Sequence, residues 1–326
     1  MLQTLYISNS NMKRFVCKIL IYGFLILFTA IILDYTITKG LQRVDDFIYQ
    51  PWTEIKSGNL NNDVLILGNS RAQGHIHPAI LDSICECNSY NLGIEAYHMN
   101  MHLFKYRYYV EYNNAPKVII YQVDLSTIAS PNIKRGSNSE QFLPLFYNSI
   151  CRQEFGKWGY NKFDLYCPLY RYFGYHTAIR QGILEGTHLK HFSVNPAYKG
   201  FKGWNYYWDG ENVQADMSIC FNATPSDLCT FENFIIQSIE NGITVICVYS
   251  PMHELLTEQL TDKNAFDAYM NSVSERLGII YLDYTSNHEL CSNSTYYSSP
   301  GHLNLKGAQA FSTKLAYDID SIGLLR

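Results

Sequence analysis

Residues 62–71 read Asn62-Asp63-Val64-Leu65-Ile66-Leu67-Gly68-Asn69-Ser70-Arg71, an apolar run of strand length stopped by a Gly-Asn-Ser turn. Four consecutive apolar residues suit a strand covered on both faces, the habit of parallel sheets, and Gly-Asn-Ser is turn chemistry. A serine directly after such a strand sits at the carboxyl end of the sheet, where open α/β sheets place ligands. A helix starting near Ala72 or Pro78 would aim its amide dipoles at that serine. Alone, the turn is equally readable as a plain connection.

Outward from this stretch, four more runs of strand length and β-branched content occur at 89–92, 118–123, 244–249 and 279–282. Helical patterns fall between or after them, at 78–85, 97–112, 231–241, 264–277 and 305–319. Strand followed by helix, repeated, predicts a doubly wound α/β domain over 62–326, with a parallel five-stranded sheet and helices on both faces. The stretch of about 125–230 is too long for a structureless loop and predicts an insertion subdomain. It carries Trp158, Tyr160, Tyr166, Tyr170, Tyr172, Phe173, Tyr175, Trp204, Tyr206, Tyr207 and Trp208, much of the excess behind 27 Tyr and 15% aromatics. A helical pattern over 169–184 is interrupted by Gly174 and Gly182. Most of these rings are expected to be core for the insertion, with some free to stack on sugar rings.

Residues 15–33, FVCKILIYGFLILFTAIIL, hold a single charge, Lys18. As a helix they span about 28 Å, close to the hydrocarbon thickness of a bilayer. Lys13, Arg14 and Lys18 lie on the N-terminal side and Asp34 follows, so the positive-inside rule puts 1–14 in the cytoplasm and residues from about 40 onward outside it. The small residues of a signal cleavage site are missing, because Ala30 is followed by Ile31, Ile32 and Leu33. The expectation is an uncleaved signal anchor at 15–37 and a juxtamembrane linker at 38–61.

Lys and Arg number 25 against 29 Asp and Glu, a net charge of −4, so no basic field marks the chain as a nucleic-acid binder. Of nine cysteines, Cys17 lies in the anchor and Cys247 in a strand-like run, where an inert core thiol is expected. Cys220 and Cys229 bracket a turn-rich loop and are candidates for a disulfide in an oxidising compartment. No CxxC pair or Cys/His set with zinc spacing occurs, so neither metal nor cofactor is expected. Asn222 and Asn293 begin N-x-S/T sequons, of consequence only in a glycosylating host.

A second chemical signal lies near the other end of the chain, in Ser298-Ser299-Pro300-Gly301-His302-Leu303-Asn304-Leu305-Lys306-Gly307-Ala308. A neutral histidine in a turn before the last amphipathic helix is suited to take a proton from a serine hydroxyl brought near by the fold. The plain alternative is a histidine capping its own turn.

Taken together, a Ser after the first strand and a His before the final helix resemble the SGNH hydrolase family, the GDSL-like esterases and lipases. In that family the first block carries the nucleophile, matched by Gly68-Asn69-Ser70-Arg71. The second carries a glycine whose amide serves the oxyanion hole, matched by Asn91-Leu92-Gly93. The last carries D-x-x-H before a helix, matched at His302 with its Leu303-Asn304-x-x-Gly307-Ala308 continuation. The resemblance covers the skeleton from about Asn62 to the C-terminus without the insertion, and implies a flavodoxin-like, SGNH-type sheet. Anchored variants of the GNSR type look like bacterial envelope proteins acting on acyl groups of surface polysaccharide.

The chain departs from the pattern twice. The family acid three residues before the histidine falls at Ser299, so the imidazolium loses its carboxylate stabiliser. Asp283, after the fifth strand, is a substitute only if the fold brings it close. The third block, G-x-N-D in the family, reads Tyr121-Gln122-Val123-Asp124, without the asparagine donor; Asp124 either orders the site or caps the following turn. Arg71 either binds an anion or starts a helix-end salt bridge. His75 and His77 are candidates for a pocket rim. An α/β-hydrolase is excluded, because only about 35 residues separate the apolar segment from Ser70, too few for the strands that fold needs before its nucleophile.

The resulting expectation is a single-pass protein of the bacterial inner membrane, its domain facing the periplasm or exterior, with the bilayer and an acylated glycan as partners and no protein partner specified. Ser70 would be nucleophile and His302 base, with the Ser70 and Gly93 amides as the oxyanion hole. The activity would be an esterase or an O-acyltransferase; the alternative is an inactive glycan-binding or polysaccharide-assembly protein.

Overall fold

The computed structural model describes residues 9–129, 139–211, 213 and 220–324. Five strands form one sheet: β1 (Val64–Leu67), β2 (Ser89–Asn91), β3 (Val118–Gln122), β4 (Thr244–Tyr249) and β5 (Ile280–Asp283). Their order is β2-β1-β3-β4-β5 and every pairing is parallel, with Val64 opposite both Ser89 and Val118, Val118 opposite Thr244, and Ile246 opposite Ile280. This is the doubly wound order with its switch point beside β1, where the chain leaves in opposite directions to β2 and β3. The continuous apolar character of β1, β3 and β4 follows from cover on both faces.

The helices include α1 (Asn9–Leu41), α2 (Ser70–His75), α3 (Pro78–Cys85), α4 (Met99–Tyr112), α5 (His176–Gly186), α6 (Pro225–Glu240), α7 (Lys263–Leu277) and α8 (Leu305–Ile322). On one face of the sheet Val64, Ile66, Val118, Ile120, Ile246 and Val248 pack with Leu81 of α3 and with Phe311, Leu315 and Ile319 of α8. The alternate residues face the other layer, where Tyr121 meets Phe231 of α6 and Tyr249 meets Phe266 of α7. Helix α6 begins earlier than its apolar pattern, because Thr224 and Asp227 form a capping box with Pro225 at the first position.

The chain divides into two compact units, Met1–Tyr49 with Ile133–Val194, and Gln50–Asn132 with Asn195–Arg326. The aromatic stretch of about 125–230 is thus shared between them, and parts of it (130–138, 212 and 214–219), like residues 1–8 of the expected cytoplasmic segment, lie outside the described residues. In the first unit α1 is 33 residues long and runs past the expected anchor into the stretch read as a linker, which also contains a short helix, Gln50–Lys56. Its apolar N-terminal part is exposed, whereas Asp34, Ile37, Thr38 and Leu41 are buried. Those last turns pack on α5 backbone to backbone: a Cβ at Gly40 would overlap the Gly182 carbonyl, and one at Gly186 would overlap the Thr36 carbonyl. Gly182 and Gly186, four apart, make the small-residue face such close crossings need. Gly174, at φ +91°, ends the short 3-10 turn Tyr170–Tyr172 ahead of α5, so the pattern at 169–184 is two elements.

All nine cysteines are free thiols. Cys220 and Cys229 do not pair: Cys229 lies inside α6, where its sulfur accepts from Asn233 Nδ2 at 3.4 Å. Cys247 is buried in β4, and burial pushes its thiol pKa far up.

Candidate functional site

The site lies at the carboxyl ends of β1, β2 and β3, within the second unit. Gly68 leaves β1 at φ +140°, a conformation that L side chains rarely adopt, and a Cβ there would press on Ala72 and Gln122. The chain then turns directly into α2. Asn69 caps that helix by accepting from the Arg71 amide at 2.9 Å, and its own Nδ2 donates to Asp124 Oδ2 at 2.7 Å. Ser70 becomes the first helical residue, and its amide is one of those without an intrahelical acceptor.

Ser70 Oγ lies 2.9 Å from His302 Nε2, although 232 residues separate them. His302 sits on an antiparallel hairpin, Tyr297–Ser299 with His302–Leu303, that leads into the Asn304 cap of α8. The His302 Nδ1 atom is 3.0 Å from Ser299 Oγ. With the Ser70 hydroxyl donating to Nε2, the proton of the neutral ring is on Nδ1 and is donated to Ser299. Burial, and to a lesser degree the Arg71 charge, lower the His302 pKa to about 4, with Asp124 partly offsetting them. The imidazole is therefore neutral at neutral pH, the form that accepts a proton.

Arg71 holds the hairpin in place. Its Nε donates to the Gly301 carbonyl at 3.0 Å and its Nη1 pairs with Asp124 Oδ2 at 2.9 Å, both side chains being buried. It is therefore engaged inside the protein, as the salt-bridge alternative expected. Asp124 both orders the site and caps the turn: its Oδ1 accepts from the amides of Ser126 and Thr127 and from the Ser126 hydroxyl. Burial opposes its ionisation, but Arg71 and the hydrogen bonds from Ser126, Asn69 and Gln122 outweigh burial and hold the carboxyl well below the usual range.

Other expected residues are placed differently. Asp283 ends β5 bound to Lys263 at 2.6 Å and to the Thr285 amide and hydroxyl, and makes no bond to His302. Gly93 follows β2 as expected, but its amide donates to Asn91 Oδ1 at 2.8 Å, so it points into its own turn. Gln122 donates to the Val123 carbonyl and Asp124, each at 3.3 Å, and does not take the place of the missing asparagine. His75 and His77 do not line a rim. His75 is buried and accepts from the Leu303 amide at 3.0 Å, while His77 caps α3 by accepting from the Ala79 amide.

The sequence reading did not single out the ring over the histidine. Trp204 lies with its ring centroid 5.0 Å from that of His302, edge-on, and is itself buried. Gly74 makes room for it, since any Cβ there would overlap the indole. A helical glycine four residues after Ser70 was the one local sign that something large approaches. Beyond Trp204 a groove of about 290 Å³ is lined by Asn205, Tyr207, Asn304, Leu305, Lys306 and Gln309, with Tyr206 and Tyr207 exposed. Among the described residues, no group of three His, Cys, Asp or Glu side chains could hold a metal.

No protein-family model matches the chain. No curated protein matches it either. Among solved structures, a "putative acylhydrolase" from Bacteroides fragilis is similar to 81% of this chain and 88% of its own, at 13% sequence identity and a TM-score of 0.38.

Proposed function

We propose that this chain is a membrane-anchored, SGNH-like serine esterase or O-acyltransferase whose exported domain acts on acyl esters, most simply acetyl esters, of bacterial cell-surface polysaccharide. The observation that carries this is the 2.9 Å contact between Ser70 Oγ and a neutral His302 Nε2. Ser70 Oγ attacks the ester carbonyl carbon while His302 takes its proton; the sugar alcohol leaves with that proton, and Ser70 keeps the acyl group. Water, or a second sugar hydroxyl, then gives its proton to His302 and attacks the acyl-serine carbonyl; the bond to Ser70 Oγ breaks and His302 returns the proton to that oxygen. The Ser70 amide supports the oxyanion, and the Gly93 amide joins it only if Asn91 releases it.

The anchor is part of the same proposal. Ile37 and Leu41 belong to the core of the first unit, and Asp34 pairs with buried Arg171. Removal of the apolar segment as a signal peptide would leave that core without one wall, which favours a retained helix with the domain outside the cytoplasmic membrane.

Full-length protein in detergent micelles should hydrolyse p-nitrophenyl acetate, and Ser70→Ala should fall to the background rate. Equal rates for the two proteins would sink the enzyme reading. Two observations favour a second reading, an inactive glycan-binding protein: a hydroxyl stands where a carboxylate would steady His302, and the Gly93 amide is already taken. That reading expects no esterase activity, together with calorimetric binding of O-acetylated glycan that Tyr207→Ala weakens.

A further inference from the structure

We propose that the segment 167–173 rests in the headgroup region of the bilayer that α1 enters, so that an aromatic face holds the first unit to lipid. This rests on the reading of α1 as a retained anchor. A 33-residue helix is about 50 Å long, whereas the hydrocarbon core is about 30 Å thick, so about two fifths of α1, counting both ends, must lie outside it. Burial shows where the C-terminal part of that excess begins: Ile31 and Ile32 are exposed, and Asp34 is 1% exposed.

Asp34 fixes the level of the surrounding chain. Its carboxylate accepts from the Leu169 amide at 2.7 Å, the Tyr147 hydroxyl at 2.6 Å and Arg171 Nη2 at 2.5 Å. The segment carrying Leu169 and Arg171 is thereby pinned beside the first residue after the apolar run. Leu169 is held there at φ +65°, unusual for a residue with a side chain. Its side chain completes an open apolar groove of about 390 Å³ whose other wall is Leu25, Ile26, Thr29, Ala30 and Leu33 of α1. A second groove, of about 400 Å³, continues from Leu33 and Ile37 to Tyr170, Phe173 and Ile179.

One wall of each groove is formed by α1 residues that lie in or next to hydrocarbon, and this continuity identifies lipid as the occupant. Phe173 is 86% exposed, Phe163 and Tyr166 are about two-thirds exposed, and Tyr170 lies tilted beside Phe163 with centroids 5.7 Å apart. Such a cluster is costly against water but favoured at a membrane interface, where aromatic rings bury their faces among acyl chains and leave polar edges at the headgroups.

The test places a tryptophan at each level of the full chain, Phe28→Trp in the middle of the apolar run and Phe173→Trp on the proposed face. Each protein is reconstituted into phosphatidylcholine–phosphatidylglycerol vesicles whose acyl chains are brominated near the carbonyl end, and the wild-type signal of four Trp is subtracted. The proposal expects the added emission to fall by about half or more for both variants. Quenching of F28W alone, with F173W reached by aqueous iodide, overturns the lipid face and leaves the anchor standing. Quenching of neither overturns both. An F173W signal shielded from lipid and iodide alike overturns the proposal in favour of a protein partner.

Discussion

The Ser299 hydroxyl meets His302 Nδ1 at 3.0 Å, on the side of the imidazole opposite Ser70. A serine there can orient the ring and its tautomer, but it brings no charge to meet the imidazolium that the proposed reaction would form as Ser70 loses its proton. Ser299→Asp should therefore raise kcat for p-nitrophenyl acetate by about tenfold or more, with KM little changed, since the added interaction acts only when charge develops. An unchanged or lower kcat in a folded S299D protein would show that the hydroxyl is the better partner.

The pH profile follows from the same ring. The ordinary histidine value is 6.5 and His302 is lowered to about 4, chiefly by burial, so the ring is neutral, the form the proposed base needs, across the whole neutral range. Activity should rise with pH through about 4 and be flat by 6.5, and S299D should move that limb upward. The stability linkage has the same sign: the unfolded chain binds the proton more tightly, so this contribution is complete above 6.5 and is lost as pH falls toward 4. Rates measured from acid to neutral pH check the limb, and a midpoint at or above 6.5 in the wild type would contradict a desolvated His302.

Arg71 and Asp124 form a buried pair at 2.9 Å. Arg71→Ala leaves the carboxylate buried and frees the Gly301 carbonyl, so it should cost about 3–5 kcal/mol in thermal unfolding and abolish esterase activity. Arg71→Lys keeps the charge but cannot serve both Gly301 and Asp124 with a planar fork, so it should recover stability better than activity. A fully active R71A protein would remove Arg71 from any part in placing His302.

Gly74 faces the indole of Trp204. Gly74→Ala should displace that ring from His302 and let water into the site. The predicted signature is a rise in the His302 limb of the pH profile, because less desolvation means a more basic imidazole, with a fall in stability of about 1–3 kcal/mol from overpacking. A stability loss with an unmoved pH limb would assign Trp204 a packing role alone.

The close crossing of α1 and α5 depends on Gly40, Gly182 and Gly186. Gly182→Leu should force the helices apart and expose 139–194 to limited proteolysis, while the thermal transition of the second unit is little affected. Equal protease resistance of G182L and the wild type would refute the tight crossing.

Periodicity and turn chemistry were enough for the sheet. Each strand lies within a residue or two of its expected range, and for β1, β3 and β4 the reason is that a parallel strand covered on both faces is largely apolar along its length, whereas β2 buries Ser89 and Asn91 and β5 is only partly covered. Ser70 and His302 were singled out through the family resemblance of their two blocks; that they meet is a property of the fold, in which the turn after β1 and the hairpin before α8 come together. The apolar run of α1 was plain by composition alone, but not its end: the last turns are fixed by Asp34, Ile37 and Gly40 meeting residues far along the chain.

Partnerships between side chains distant in sequence were decided only by the tertiary structure. Whether the Gly93 amide faces a substrate or Asn91, and whether Asp283 reaches His302 or Lys263, depends on atoms separated by a few ångströms in space. So does the place of Trp204 over the histidine, from a stretch with no pattern of its own. By itself the sequence determined which residues stand at the mouth of the sheet, because strand and turn are local consequences of residue type. The fold alone decided their hydrogen bonds, burial and protonation, because those depend on every neighbour that the closed chain brings within reach.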